Sequence, residues 1–145
     1  MGRYTLTNHI HTSPDRVFEA FTDPALVADW MDMTEIRDAT GPLDAPGTRF
    51  TMVVRGPWRF RSEILRSERP TLHEQSGRAP GGAFFHNTAT LTARDGGTDL
   101  ELETEYGLPF GPIGRLLDRL LVDREPRTIA NREVDRLVEI VSSPD

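Results

Sequence analysis

The chain ends in a way that limits the folds open to it. A turn-rich stretch, Tyr106-Gly107-Leu108-Pro109-Phe110-Gly111-Pro112, releases an apolar-periodic segment that runs to about Val141. Ile113, Leu116, Leu117, Leu120 and Leu121 open this segment, and Ala130, Val134, Leu137 and Val141 close it, at helical spacing. No other segment is long enough for such a helix. Run straight over residues 112–142 it would be about 46 Å long, against a radius of gyration near ~15 Å for a compact chain of this size. Pro126 resolves the mismatch, because it deletes the hydrogen bond to the Val122 carbonyl and predicts a kink or split there.

Nearly everything between Asp32 and Leu108 reads as strands. Before them, Tyr4, Leu6, Asn8 and Ile10 alternate with Thr5, Thr7, His9 and His11, as in a half-buried strand. Ser13-Pro14-Asp15 then starts a short helix, with Ser13 as cap, and Thr22-Asp23-Pro24 starts a second that carries Leu26, Val27, Trp30 and Met31. Thr34 to Ala39 is a weak strand. Stronger ones follow around Phe50, Met52 and Val54, then around Trp58, Phe60, Ser62 and Ile64 after the Gly56-Pro57 turn. Pro70 opens a strand whose inward set reads as Leu72, Glu74 and Ser76. Phe85, Asn87, Ala89 and Leu91 face inward before the Asp95-Gly96-Gly97 hairpin, and Leu100, Leu102, Thr104 and Tyr106 after it. Short turns between consecutive strands imply an antiparallel meander with one apolar face. One long helix against one curved sheet does not close along its whole length, so a pocket is expected between them.

Composition excludes several kinds of chemistry. At 145 residues the chain is predicted to form a single domain, 1–145, with one core. It has no cysteine, hence no thiolate nucleophile or cysteine metal site, and all 17 basic residues are arginine, which removes Schiff-base catalysis. Net charge is −6 and the arginines are scattered among acids, so a nucleic-acid partner is not expected. No apolar run approaches membrane-spanning length. The N-terminus lacks the pattern of a signal peptide, and Leu6 stands where myristoylation needs Ser or Thr. A cytoplasmic protein, monomer or homodimer, without membrane insertion is expected.

The order strand, two short helices, six strands, long helix resembles the helix-grip fold of the START and birch-pollen-allergen superfamily. Within it the chain looks like the bacterial polyketide cyclase/dehydrase and lipid-transport family. The resemblance is carried by His11-Thr12-Ser13-Pro14-Asp15-Arg16-Val17-Phe18, by Phe21-Thr22-Asp23-Pro24 with Trp30, and by Gly97-Thr98-Asp99-Leu100. Gly114-Arg115-Leu116-Leu117 through Ile129-Ala130-Asn131 completes it. It implies an α+β domain, about seven curved antiparallel strands with two short helices and a Pro-kinked C-terminal helix, that binds a hydrophobic small molecule between helix and sheet. It implies no cofactor. Some members are enzymes.

Trp58, Phe60 and Ser62 resemble the aromatic-aromatic-serine row that lines the cavity of single-domain polyketide aromatase/cyclases, and Asn131 resembles their final-helix asparagine. Those enzymes place a catalytic arginine two residues beyond the serine. Here that position is Ile64, and the next inward residue in phase is Arg66, roughly 7 Å further on. The expected lining is Trp30, Phe50, Met52, Trp58, Phe60, Ser62, Phe85, Asn87, Tyr106, Leu117, Leu120 and Asn131. Phe110, between prolines and glycines, is expected as a lip residue. Should turnover occur, Glu74, Tyr106 and Asn131 are the candidate catalytic groups. A buried lone carboxylate costs several kcal/mol, so Glu74 is either a general acid or base with a raised pKa, or the strand phase is shifted by one residue. The shifted phase, preferred here, turns Glu74 to solvent and His73 inward. His9-x-His11 puts two imidazoles on one strand face without an evident third ligand, so no metal is expected.

Overall fold

Ser13 and Asp23 set where the first two helices begin. The Ser13 hydroxyl accepts from the Arg16 amide at 3.4 Å and the Asp23 carboxylate from the Ala25 amide at 2.9 Å, each satisfying a donor that has no partner within its own helix. In the computed structural model these helices are α1 (Pro14–Thr22) and α2 (Pro24–Trp30), each opened by proline. The structure describes residues 2–31, 34–54, 58–107 and 126–142, with backbone only for 126–129.

Seven strands form one antiparallel sheet: β1 (Gly2–Ile10), β2 (Thr34–Arg37), β3 (Arg49–Val54), β4 (Trp58–Glu68), β5 (Leu72–Arg78), β6 (Phe84–Arg94) and β7 (Gly97–Gly107). Their order across the sheet is β1-β7-β6-β5-β4-β3-β2, so only the β1–β7 pairing joins strands distant in sequence. The β6–β7 hairpin turns on Asp95 and Gly96, both at positive φ, the twist that suits two-residue hairpins. The terminal helix α3 (Pro126–Ser142) carries the C-terminal part of the apolar-periodic segment, and the stretch 108–125, on which the expected break at Pro126 depends, lies outside the described residues. The architecture is the helix-grip fold expected from the order of elements.

Two apolar clusters form the interior. The larger joins α1, α2 and α3 to β1, β6 and β7 through Phe18, Trp30, Leu137, Ile10, Leu91 and Leu100. Ala130, Val134, Leu137 and Val141 recur on one side of α3 and all are buried. Arg16 of α1 donates from Nε to the Val141 carbonyl at 2.6 Å, a cation on the negative end of α3. The smaller cluster lies under β3 and β4 and contains Leu43, Phe50, Met52 and Ile64, with Phe60 and Phe85 packed edge to face on it at 5.3 Å. Gly77 allows this. A Cβ there would stand 2.5 Å from the Phe85 ring, so only glycine lets that ring lie across β5.

A bulge decides what β4 and β5 present. Ile64 pairs with Gln75 but Arg66 pairs with Glu74, so Leu65 is the extra residue and the alternation of β4 reverses beyond it. Arg66, expected inward, therefore faces out, and Ser67 faces in opposite His73. The inward set of β5 is His73, Gln75 and Gly77, in place of Leu72, Glu74 and Ser76. His73 is 2% exposed.

Candidate functional site

The registers align inward side chains into rows across the concave face. One row runs Tyr4, Thr104, Asn87, Gln75 and Ile64, each directly opposite the next on β1, β7, β6, β5 and β4. It is polar over four of its five positions. The adjacent row runs Leu6, Leu102, Ala89, His73 and Ser67. Between these rows and the helices lies a cavity walled by Phe21, Val27, Trp30 and Met31 from α1 and α2 and the turn after them, with Ala130 and Glu133 from α3. Ile36, Leu43 and Met52 close its far side, and Tyr4, Leu102, Thr104, Asn87, Ala89, Gln75 and His73 form its floor. The space open to the centre of a water-sized sphere is ≈ 60 Å³, room for about four waters.

Its polar groups are ordered by one another. Thr104 donates from Oγ1 to the Asn87 Oδ1 at 2.9 Å, which leaves the Asn87 amide NH₂ as a donor in the wall. Trp30 is held by its indole N–H, 2.7 Å from the Ala20 carbonyl. Burial raises the Tyr4 phenol above its ordinary value, and the Glu133 carboxylate adds to the shift while Thr104 opposes it. His73 is the most perturbed group. Burial pushes its imidazole down to about 4, with the Asp44 charge and the Gln75 side chain opposing it, so it is neutral at pH 7. Its Nδ1 meets the Ser67 hydroxyl at 3.1 Å. Its Nε2 has no hydrogen-bond partner and is the one such buried side-chain nitrogen or oxygen among the described residues.

The chain matches the family model described as polyketide cyclase/dehydrase and lipid transport over residues 1–141. It belongs to that family. Solved structures agree in fold at low identity. Protein MLL2253 from Mesorhizobium loti is 19% identical with a TM-score of 0.74, covering 99% of both chains. Ara h 8.0201 is 14% identical with a TM-score of 0.67, again over 99% of both. DynU16, a protein of the dynemicin biosynthetic locus, is 19% identical with a TM-score of 0.70 over 97% of this chain and 47% of its own. No curated protein matches the chain.

Within this member of the cyclase/dehydrase and lipid-transport family, the lining residues expected from the sequence fall into five groups. Trp30, Met52 and Asn87 line the cavity. Phe50, Phe60, Ser62 and Phe85 face inward but belong to the plugged end beneath β3 and β4, where Ser62 donates to the Phe60 carbonyl at 3.1 Å. Tyr106 lies beside the cavity, its ring 6.1 Å from that of Tyr4 and laid over Gly2. Trp58 and Asn131 do not line it: Trp58 is 36% exposed at the start of β4, and Asn131 is exposed on α3. Phe110, Leu117 and Leu120 lie outside the described residues.

Glu74 stands on the outer face. Its Oε1 accepts from Arg66 at 2.6 Å and its Oε2 lies 2.6 Å from the His86 Nε2. The Arg66 guanidinium first, and His86 after it, hold its carboxyl below the usual carboxylate range against the opposing effect of burial. A raised pKa was expected only for the inward phase. His9 bonds Asp99 through Nδ1 at 2.7 Å, and Arg94 reaches the other Asp99 oxygen at 2.6 Å. Among the described residues no helix is long and apolar enough to cross a membrane. The lining residues not foreseen include Tyr4, Thr104, Gln75 and His73 on the floor and Phe21, Val27, Met31 and Ala130 from the helices and the turn after α2. Tyr4 and Thr104 were legible as inward by alternation, and their partnership required the β1–β7 register.

Proposed function

We propose that the chain binds a small, mainly apolar molecule, aromatic, polyketide-like or lipid-like, in the cavity between sheet and helices, as a binding or carrier protein. The observation that carries this is the composition of the cavity wall. Phe21, Val27, Trp30, Met31, Ile36, Leu43, Met52, Ala89 and Leu102 provide apolar surface, worth about 25 cal/mol per Å² buried, around a single polar row. The unliganded space is small, and Met31 and Met52, unbranched thioethers, are the wall members best able to re-pack around a guest. Phe110, Leu117 and Leu120 are proposed to complete the wall from the stretch between β7 and α3. The likeness to a protein of the dynemicin biosynthetic locus and the family description support the ligand class.

An enzyme that orients a reactive chain for cyclisation or dehydration is the second reading, and Glu74, Tyr106 and Asn131 were its candidates. The position of Glu74 outside the cavity, with both oxygens engaged, favours the carrier. Native mass spectrometry of protein purified from its own host tests the proposal. A co-purified apolar compound is expected, and adding it to stripped protein should shift the fluorescence of Trp30. No co-purified mass and no response of Trp30 to a panel of small apolar aromatics would overturn it.

A further inference from the structure

His73 has no role in packing that requires a histidine. It lies 2% exposed in the cavity floor with Nε2 unpartnered, a condition that costs about 1–3 kcal/mol relative to an apolar side chain of the same shape. Phe18 stands edge to face with the ring at 5.7 Å and Phe21 is tilted at 6.4 Å, and an aromatic face is a weak acceptor that does not replace a hydrogen bond. The proton can be placed. Among the described residues Nδ1 is the one side-chain partner of the Ser67 hydroxyl, so the assignment that uses that hydroxyl's proton has Ser67 donate to Nδ1. A neutral imidazole accepting at Nδ1 carries its hydrogen on Nε2. The Gln75 side chain acts on the same imidazole without meeting Nε2 in a hydrogen bond. The cavity floor therefore holds an N–H donor left unpaired, one row from the Asn87 amide NH₂, whose oxygen is already taken by Thr104. A cavity lined with spare donors selects for an oxygen acceptor.

The geometry points to His73 as the specificity-determining contact of the cavity, its Nε2–H donating to a carbonyl oxygen on an otherwise apolar ligand. This rests on the cavity being the binding site, as proposed above, and adds which functional group the ligand must carry. Neutral imidazole suits a ketone or quinone oxygen, because it donates without introducing a buried charge that the surrounding Phe18, Phe21 and Trp30 could not stabilise. A hydrocarbon of the same shape would leave the donor unmet, and sites built around a hydrogen bond discriminate strongly against ligands that lack it.

The test uses two small probes of matched shape, cyclohexanone and methylenecyclohexane, which differ by C=O against C=CH₂. Their affinities for the wild-type protein and for His73→Leu are followed by NMR at the methyl groups of Met52, Ala89 and Leu102. The His73→Leu substitution should lower the ketone-to-alkene affinity ratio by about tenfold, mainly by weakening the ketone. Long-range nitrogen–proton NMR of wild-type His73 should show the Nε2–H tautomer, with the Nε2 resonance moving when cyclohexanone is added. An unchanged ratio, or an Nδ1–H tautomer, overturns the inference while alkene binding leaves the cavity itself intact as a site. Binding of neither probe, with the cavity methyls unmoved, overturns both.

Discussion

Acidification should destabilise this protein through His73 before any carboxylate takes part. The imidazole titrates near 6.5 in the unfolded chain and at about 4 in the folded one, because burial disfavours its charged form. Between those values the unfolded state binds more protons, so stability falls as pH falls and is unaffected above about 7. At 1.36 kcal/mol per unit the full loss is about 3 kcal/mol, of which about 2 kcal/mol has accumulated by pH 5. Glu74 and Asp99, held below their ordinary values by Arg66 and His9 respectively, lose their contribution only as pH drops through 4.5 and 3.8, so the range from 6.5 to 5 isolates the histidine. The perturbation is His73→Leu and the assay is urea denaturation at half-unit pH steps from 8 to 5. At pH 8 the variant should match the wild type within about 1 kcal/mol, since the lost Ser67 hydrogen bond offsets relief of the orphaned Nε2. At pH 5 it should be the more stable protein by about 2 kcal/mol. Every other titratable group is common to both proteins and cancels in the difference. Parallel stability curves for the two proteins over that range would refute the placement of His73 as a buried, neutral residue.

Four further outcomes follow from the packing and the ion pairs. Gly77→Ala should destabilise by about 1–3 kcal/mol, because a Cβ 2.5 Å from the Phe85 ring and 2.6 Å from the Ser62 Oγ forces that ring off β5, and a neutral result in urea would contradict the plugged end. Leu137→Ala, at a side chain with no exposure on α3, should cost about 2–5 kcal/mol by the same assay. Arg16→Met should cost about 1–3 kcal/mol and speed amide exchange in the last turn of α3, since it frees the Val141 carbonyl. Glu74→Gln should leave the affinity for the co-purified ligand within about twofold, as expected for a site outside the cavity, and a loss of tenfold or more by titration calorimetry would return Glu74 to the binding machinery.

How much of the site could be read from residues alone depended on each strand's own alternation. β6 and β7 carry unambiguous sets, Phe85-Asn87-Ala89-Leu91 and Leu100-Leu102-Thr104-Tyr106, joined by a turn that allows one register, and both came out in the expected phase. β5 reads Leu-His-Glu-Gln-Ser-Gly-Arg, with no apolar period to choose a face, so its phase is set by its neighbours. One of those neighbours contains the bulge. Its trace in the sequence is the Ile64-Leu65 doublet, two apolar residues in succession in an otherwise alternating strand, one with no exposure and the other 37% exposed. Read as a phase reversal, that doublet turns Arg66 outward to meet Glu74 and brings Ser67 inward to meet His73.

Trp58 shows the limit of parity from the other side. It lies in the inward phase of β4 with Phe60 and Ser62, yet it is 36% exposed, because parity says which face a side chain takes and not how far the helices cover the strand. The same gap separates Phe60 and Phe85 from the cavity: both face inward, and the missing side chain of Gly77 lets them fill the space they were expected to border. The hollow thereby lies mainly at the end where α1, α2 and α3 meet β5, β6, β7 and β1, with Ile36, Leu43 and Met52 closing its far side. At that end the floor departs from an ordinary apolar core by one polar row and one imidazole. A single extra residue in β4 therefore determines whether the interior presents an acid bound to no partner or a neutral donor awaiting an acceptor, and the registers place the donor there.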